Sequence, residues 1–217
     1  MLIRASINDH LEVVKYLISI GANKEVTDGP GWTPLIYAAQ HGNFEAVRYL
    51  ISIGANFEAE NSYGDTPLIQ ALTFGHIEIV KYLISIGANK EVKGEFGYTP
   101  QIDALKFGHF EIFKYLISIG ADKEVKDNNG NTPLIIASEK GLLEFVKYLI
   151  SVGADKEAKD EDGNTPLIKA SKNGHLEVVQ YLISVGAFKD AMDNYGRTPL
   201  SFSSNDVKEY LISVGAK

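Results

Sequence analysis

The sequence contains no cysteine among its 217 residues. This excludes disulfides, thiol nucleophiles and zinc sites built from thiolates, and it leaves the redox compartment open. The sequence also has no run of about 18 apolar residues, the length that a membrane-spanning helix requires. The apolar run in the opening "MLIRASINDH" is too short for a signal peptide. We therefore expect a cytoplasmic protein that does not associate with membranes.

Positive charge is also in short supply. The chain has 28 Asp and Glu residues against 21 Lys and Arg residues, which gives a formal net charge of -7 at pH 7. Proteins that bind nucleic acids or anionic membranes carry basic stripes, which this balance does not favour. We therefore expect no nucleic-acid partner. With 45% hydrophobic and 23% charged residues, the composition is typical of a globular protein.

The chain does have a regular internal repeat. Thr-Pro pairs recur every 33 residues, at Thr33, Thr66, Thr99, Thr132, Thr165 and Thr198. Gly-Ala pairs keep the same step, at Gly21, Gly54, Gly87, Gly120, Gly153 and Gly186. A fixed period of this length indicates an array of stacked units. We number seven repeats, the first partial and the last shortened: 1–27, 28–60, 61–93, 94–126, 127–159, 160–192 and 193–217.

The local signals within one repeat predict two helices. In repeat five, 127–159, Gly130 suits a tight turn and Thr132 can cap a helix with its hydroxyl. Pro133 suits the first helical position, and Gly141 ends this short helix. A second helix is predicted over "LEFVKYLISV". Because helices this short are unstable alone, each repeat must bury its apolar face against its neighbours.

The 33-residue period and the recurring Thr-Pro-Leu phrase resemble those of the ankyrin repeat family. The resemblance covers essentially the whole chain and implies an all-α fold, an ankyrin-repeat solenoid of stacked antiparallel helix pairs with β-hairpin-like fingers. It also implies a single domain over 1–217. One departure is systematic, because the histidine usual after Thr-Pro-Leu is isoleucine here, at Ile36, Ile69, Ile135 and Ile168.

The two ends of the array differ from its middle. Met1 stands where other repeats have proline, so the first helix lacks its threonine cap and its finger. We expect the chain to be a fragment of a longer array, with a worn first repeat as the alternative. In the last repeat, the stretch from Pro199 to Gly215 is four residues shorter than the stretch from Pro34 to Gly54. A polar segment follows Pro199, which suits a terminal cap.

No residue pattern indicates catalysis. Four histidines occupy the same position in their repeats: His10, His76, His109 and His175. Helices of neighbouring repeats stack about 8–10 Å apart, so histidines in this position cannot share a zinc ion, and we interpret them as framework residues. The glycines follow the repeat and form no phosphate-binding or dinucleotide-binding run. We predict no catalytic residue, no cofactor and no metal.

The repeats differ most at the finger tips and on the outward face of the first helix. The resemblance implies that these two regions line the concave side and bind partners. In repeats two to four they are rich in aromatic residues, whereas repeats five and six have polar residues there. We predict a protein partner at these positions: Trp32, Tyr37, His41, Tyr63, Gln70, Phe74, Phe96, Tyr98, Asp103 and Phe107. Aromatic anchors of this kind are typical of interface hot spots.

Several alternatives remain open. The aromatic residues could pack finger on finger, or contact a second copy of the chain, although we expect a monomer. The array could be a structural spacer or self-associating block, or the targeting domain of an enzyme whose catalytic part lies outside this chain. Gln101 replaces a leucine expected to be buried, so either its amide bonds the neighbouring backbone or repeat four is a soft joint.

Overall fold

The structure is a computed structural model that describes residues 1–91, 98–203 and 205–217. Within these residues it contains fourteen α-helices and no strand. The helices are α1 Leu2–Ile7, α2 Leu11–Ser19, α3 Pro34–Gln40, α4 Phe44–Ser52, α5 Pro67–Thr73, α6 Ile77–Ser85, α7 Pro100–Lys106, α8 Phe110–Ser118, α9 Pro133–Glu139, α10 Leu143–Ser151, α11 Pro166–Lys172, α12 Leu176–Ser184, α13 Pro199–Phe202 and α14 Asn205–Ser213. The predicted helix pair is therefore present in each repeat.

The Thr-Pro pair starts the first helix of a repeat. In α9, Thr132 Oγ1 accepts a hydrogen bond from the backbone N–H of Ile135, and Pro133 occupies the first turn. The capping role predicted for Thr132 is thus confirmed. The same bond is made by Thr33, Thr66 and Thr165. Because the bond satisfies one of the free N–H groups at the helix start, the threonine fixes where each helix begins.

The chain divides into two compact bodies, Met1–Leu116 and Ile117–Lys217. In the N-terminal body α1, α3, α5 and α7 pack side by side as one layer, and α2, α4 and α6 form a second layer. In the C-terminal body α9, α11 and α13 form the first layer, and α10, α12 and α14 the second. Leucine, isoleucine, valine and alanine side chains fill the core between the layers. The assignment of a single domain over 1–217 stays a prediction.

Histidines link successive repeats. The Nε2–H of His76 donates to the carbonyl oxygen of Gln40 at 2.8 Å, and His109 and His175 make the same bond to the repeat before them. The framework role predicted for these three histidines is confirmed. Gly42 has a φ of 77°, and a Cβ there would lie 2.6 Å from Cε1 of His76. The glycine therefore provides both the backbone conformation and the space for the ring.

Lysines and glutamates between the helix pairs also link repeats. Lys24 Nζ donates to the carbonyl oxygen of Ile53 at 2.6 Å, at the C-terminal end of α4. Glu25 Oε1 accepts from the backbone N–H of Asn56 at 2.9 Å. Because both bonds join neighbouring repeats, and the one to Ile53 satisfies a partly buried carbonyl oxygen, these side chains serve the stacking of repeats as well as solubility.

The last repeat is short, as the sequence predicts. Helix α13 has four residues, whereas α3 has seven. In the described part of the chain, no helix is both long enough and apolar enough to cross a membrane.

Candidate protein-binding surface

A side chain of the first helix joins that helix to the finger of the same repeat. The residue concerned lies three positions after the helix proline, and we call it the groove position. In repeat two, the hydroxyl of Tyr37 donates to Asp28 Oδ2 at 2.7 Å. In repeat three, Gln70 Nε2 donates to Asp65 Oδ2 at 3.0 Å. The finger and the groove position therefore form one continuous surface within each of these repeats.

In repeat two the aromatic side chains mostly serve that connection. The ring of Trp32 stacks on the ring of Tyr37, with centroids 4.9 Å apart. The hydrogen bond to Asp28, with burial as a second cause, raises the pKa of the Tyr37 phenol. His41 is exposed one turn later, and its Nδ1 lies 3.0 Å from the carbonyl oxygen of Tyr37. Trp32 and Tyr37 thus pack against each other within the repeat.

Repeats three and four present aromatic rings to solvent. The exposed fraction is 50% for Tyr63, 50% for Phe74 and 52% for Phe107. Phe74 and Phe107 follow the last turns of α5 and α7, four residues after the groove position, so each shares a helix face with it. The ring of Phe107 also lies 6.4 Å from the imidazole of His109. These rings are the apolar part of the surface.

Tyr98 is half-buried and carries a cation. Lys106 Nζ lies 3.4 Å from the centroid of the Tyr98 ring, a cation–π contact within repeat four. The predicted residue Phe96 lies outside the described residues. The other nine predicted residues all lie in the N-terminal body. Their common role in binding a partner stays a prediction.

Two groove-position side chains are more buried than their polarity leads one to expect. Gln70 is 5% exposed and Asp103 is 6% exposed. Among the described residues, Gln70 Oε1 has no hydrogen-bond partner, and the Asp103 carboxylate makes neither a hydrogen bond nor an ion pair. Burial raises the pKa of Asp103 to about 7, with Lys106 opposing the change and Asp65 adding to it. A buried carboxylate with this pKa is a perturbed group of the kind that marks functional sites.

Repeat four departs from its neighbours around this carboxylate. Gln101 is fully buried at the position where repeats one, two, three, five and six have a buried leucine. Thr99 forms no cap bond, and its buried Oγ1 has no hydrogen-bond partner among the described residues. A buried hydroxyl without a hydrogen-bond partner lowers stability by about 1–3 kcal/mol. Both interpretations of Gln101 stay predictions.

Sequence reasoning missed Asp65. This residue precedes the Thr-Pro pair, where repeats two and four have Trp32 and Tyr98, so aligning the repeats gives no sign of a carboxylate beside the groove position. A second missed feature lies in the C-terminal body, where Phe188 is exposed beside a surface hollow of about 700 Å³. Its signal is visible in the sequence, because repeats one to five have asparagine or aspartate at that position.

Metal ligation is not indicated by the arrangement of side chains. Over residues 1–91, 98–203 and 205–217, histidine, aspartate and glutamate side chains form no group of three that could hold a metal ion. The bonded histidines are instead engaged with backbone carbonyl oxygens of the preceding repeat.

Comparisons with known proteins agree on the family. A family model of ankyrin repeats, built of three copies, matches residues 2–94, 86–160 and 152–217. The crystal structure of the human ASB11 ankyrin repeat domain superposes with a TM-score of 0.87 at 25% identity, covering 98% of this chain and 96% of that one. The ankyrin repeat domain of Bcl-3, described as a unique member of the IkappaB protein family, gives a TM-score of 0.82 at 25% identity, covering 98% and 97%. A search of the curated proteins found no match. With the helix pairs, the repeat period and these matches in agreement, the chain belongs to the ankyrin repeat family.

Proposed function

We propose that this chain is a protein–protein interaction module, acting as a scaffold or adaptor, and that its partner lies across the finger tips and first helices of repeats two to four. Ankyrin repeat domains are generally modules of this kind. The observation that carries the location is the exposure of three aromatic rings in repeats three and four, those of Tyr63, Phe74 and Phe107.

The positions of Phe74 and Phe107 support binding because the same position is polar elsewhere. Repeat five has Lys140 there and repeat six has Asn173. The fold therefore does not need an aromatic ring at this place. A half-exposed phenylalanine leaves apolar area in water, and burying such a ring in a partner is the usual source of hot-spot energy.

Internal packing explains some of the predicted residues but not all. Trp32 stacks on Tyr37, and the Tyr98 ring is covered by Lys106. Mutations can distinguish the rings that pack internally from those that remain available to a partner. Phe74, for example, makes no ring contact with the described residues. Phe74 and Phe107 are therefore the residues that test binding with least disturbance of the fold.

The test compares partner binding by variants. Proteins captured by the wild-type chain are identified, and the affinity of the strongest is measured by calorimetry against Phe74→Ala and Phe107→Ala. We expect each variant to weaken binding by about 1–3 kcal/mol. Tyr195→Ala, which removes an exposed ring from the C-terminal body, is the matched control and should leave affinity unchanged. Equal affinities for all four proteins would refute the location.

Light scattering separates the module from a self-associating block. We expect a monomer whose mass does not change with concentration. A dimer that both alanine variants dissociate would instead assign the rings to a contact between two copies. We place the module in the cytoplasm and assign it no catalytic residue, cofactor or metal, so an enzyme carrying it would have its catalytic part elsewhere.

A further inference from the structure

The groove position supplies a donor to a carboxylate in three of the described repeats. Tyr37 and Gln70 do so in repeats two and three. In repeat six the donor is a cation, because Lys169 Nζ lies 3.1 Å from Asp160 Oδ2 and 3.3 Å from Glu139 Oε1. Burial alone would raise the pKa of Asp160, but hydrogen bonds from Asn164 and Lys169 lower it. Repeat six therefore shows how a half-buried cation fits at the groove position.

Repeat four reverses this chemistry. Its groove position is Asp103, an acceptor, and the residue that aligns with Asp28 and Asp160 is Gly94, which has no side chain. The cation on the same helix does not pair with the carboxylate within 4 Å, because Lys106 Nζ lies over the Tyr98 ring. Among the described residues, nothing donates a hydrogen bond to Asp103. In the described part of the chain, this carboxylate thus has no counterpart of the donors that serve Asp28, Asp65 and Asp160.

A second acceptor lies beside it. Gln70 holds the groove position on α5, which packs beside α7, and its Nε2 is bonded to Asp65, whose charge acts on Asp103. Gln70 Oε1 is buried and has no partner among the described residues. We call the Asp103 carboxylate and Gln70 Oε1 the acceptor cluster. Both accept hydrogen bonds, and the carboxylate attracts positive charge.

We propose that the acceptor cluster binds an arginine side chain of the protein partner, whose guanidinium pairs with Asp103 and donates to Gln70 Oε1. This proposal rests on the proposed function and names the chemistry of the partner. The half-exposed rings of Phe74 and Phe107 lie one helical turn from Gln70 and Asp103 on their helices. An arginine suits such a place because its planar guanidinium has five N–H donors and stacks on aromatic faces.

The competing occupant is a proton. The charged groups that act on Asp103 are Lys106 on its own helix and Asp65 on the finger of repeat three. Because burial raises the pKa of Asp103 to about 7, the carboxyl is mostly protonated at pH 6 and mostly ionised at pH 8. If arginine binds the ionised form, its affinity should fall about tenfold from pH 8 to pH 6.

The first test uses a small probe and so does not depend on an identified partner. Methylguanidinium is titrated into the full chain at constant ionic strength, with neutral methylurea as the matched probe, and the Asp103 carboxyl carbon is followed by NMR. We expect methylguanidinium, and not methylurea, to lower the pKa of Asp103, by one unit at about ten times its dissociation constant. The same pKa with both probes would overturn the proposal and leave a proton as the occupant.

The second test uses variants and the captured partner. Asp103→Asn removes the charge, and Asp103→Lys places a cation at the groove position as Lys169 does in repeat six. Both should weaken the partner about 10–100-fold, the range for hydrogen bonds to charged groups. Glu60→Gln, which removes an exposed carboxylate of the same body, is the control and should not weaken binding of the partner. If Phe74→Ala weakens the partner and both Asp103 variants bind normally, the proposed function stands and the arginine site is wrong.

Discussion

Replacing Asp103 by asparagine should stabilise the N-terminal body at neutral and alkaline pH. The side chain is buried, and its pKa in the folded chain is raised from 3.8 to about 7. Between these two values the folded chain keeps a proton that the unfolded chain has lost. The free energy of unfolding of the wild type must therefore fall as pH rises through this range. Asparagine carries no charge and removes that dependence.

The magnitude follows from the size of the pKa change. Each unit by which a pKa differs between the folded and unfolded chain corresponds to about 1.4 kcal/mol. A rise from 3.8 to about 7 therefore gives an upper value of about 4 kcal/mol at pH 8. Because the side chain is not completely buried, we expect Asp103→Asn to be more stable than the wild type by about 2–4 kcal/mol at pH 8. At pH 4 the two proteins should be nearly equal.

Urea unfolding at several pH values measures this difference. The single tryptophan, Trp32, lies in the same body as Asp103, so its fluorescence reports the relevant transition. The wild type contains other titrating groups, but they are shared with the variant, and the difference between the two curves isolates Asp103. Glu60→Gln serves as the control and should follow the wild type at every pH. If the free energy of unfolding depends on pH in the same way for wild type and Asp103→Asn, then ionisation of Asp103 does not destabilise the folded chain, and the reasoning is refuted.

Two further pairs of substitutions test the framework. A Cβ at Gly141 would lie 2.6 Å from Nδ1 of His175, whereas one at Gly174 meets nothing within 4 Å, and both residues have positive φ. Gly141→Ala should therefore have a lower free energy of unfolding than Gly174→Ala, by about 1–3 kcal/mol as measured by urea unfolding. If the same difference is found in a His175→Ala background, this explanation is wrong. Thr33→Val should cost about 1 kcal/mol because it removes a helix cap, whereas Thr99→Val should be neutral or stabilising because its hydroxyl makes no cap bond. Equal losses in thermal unfolding would refute the second expectation.

The fold could be predicted because its signals are local and repeated. A threonine cap, a proline in the first turn and a glycine after the last turn each act within a few residues, so one repeat is enough to read them. Thr132 and Gly141 show this directly, since the cap bond and the positive φ both occur where the sequence places them. The histidine bonds between repeats were predictable only as a framework role, because the period shows that a position recurs and not which atom it contacts.

The burial of the candidate site could not be predicted in the same way. Gln70 and Asp103 share a helix face with Phe74 and Phe107, which led us to expect four exposed side chains. Gln70 is instead buried because the finger brings Asp65 over it, and the fold of a finger depends on turn geometry that spacing does not determine. The spacing of residues predicts which face of a helix carries a side chain, but the burial of that side chain depends on the segments that cover it.

The array form of the molecule explains how repeat four can tolerate an unfavourable charge. In a repeat protein, stability is approximately a sum of terms for each repeat and for each contact between neighbours. Repeat four lacks the Thr99 cap and leaves Asp103 without a donor among the described residues. The cost of each feature is confined to that repeat and its neighbours, so the other repeats need not unfold. A cation that pairs with Asp103 on binding removes part of the free-energy cost of the buried charge. This gain stabilises the complex and not the free protein. Stabilisation of the N-terminal body by an arginine-bearing partner should therefore be larger at pH 8 than at pH 6, because only at the higher pH is the buried carboxylate charged before the partner arrives.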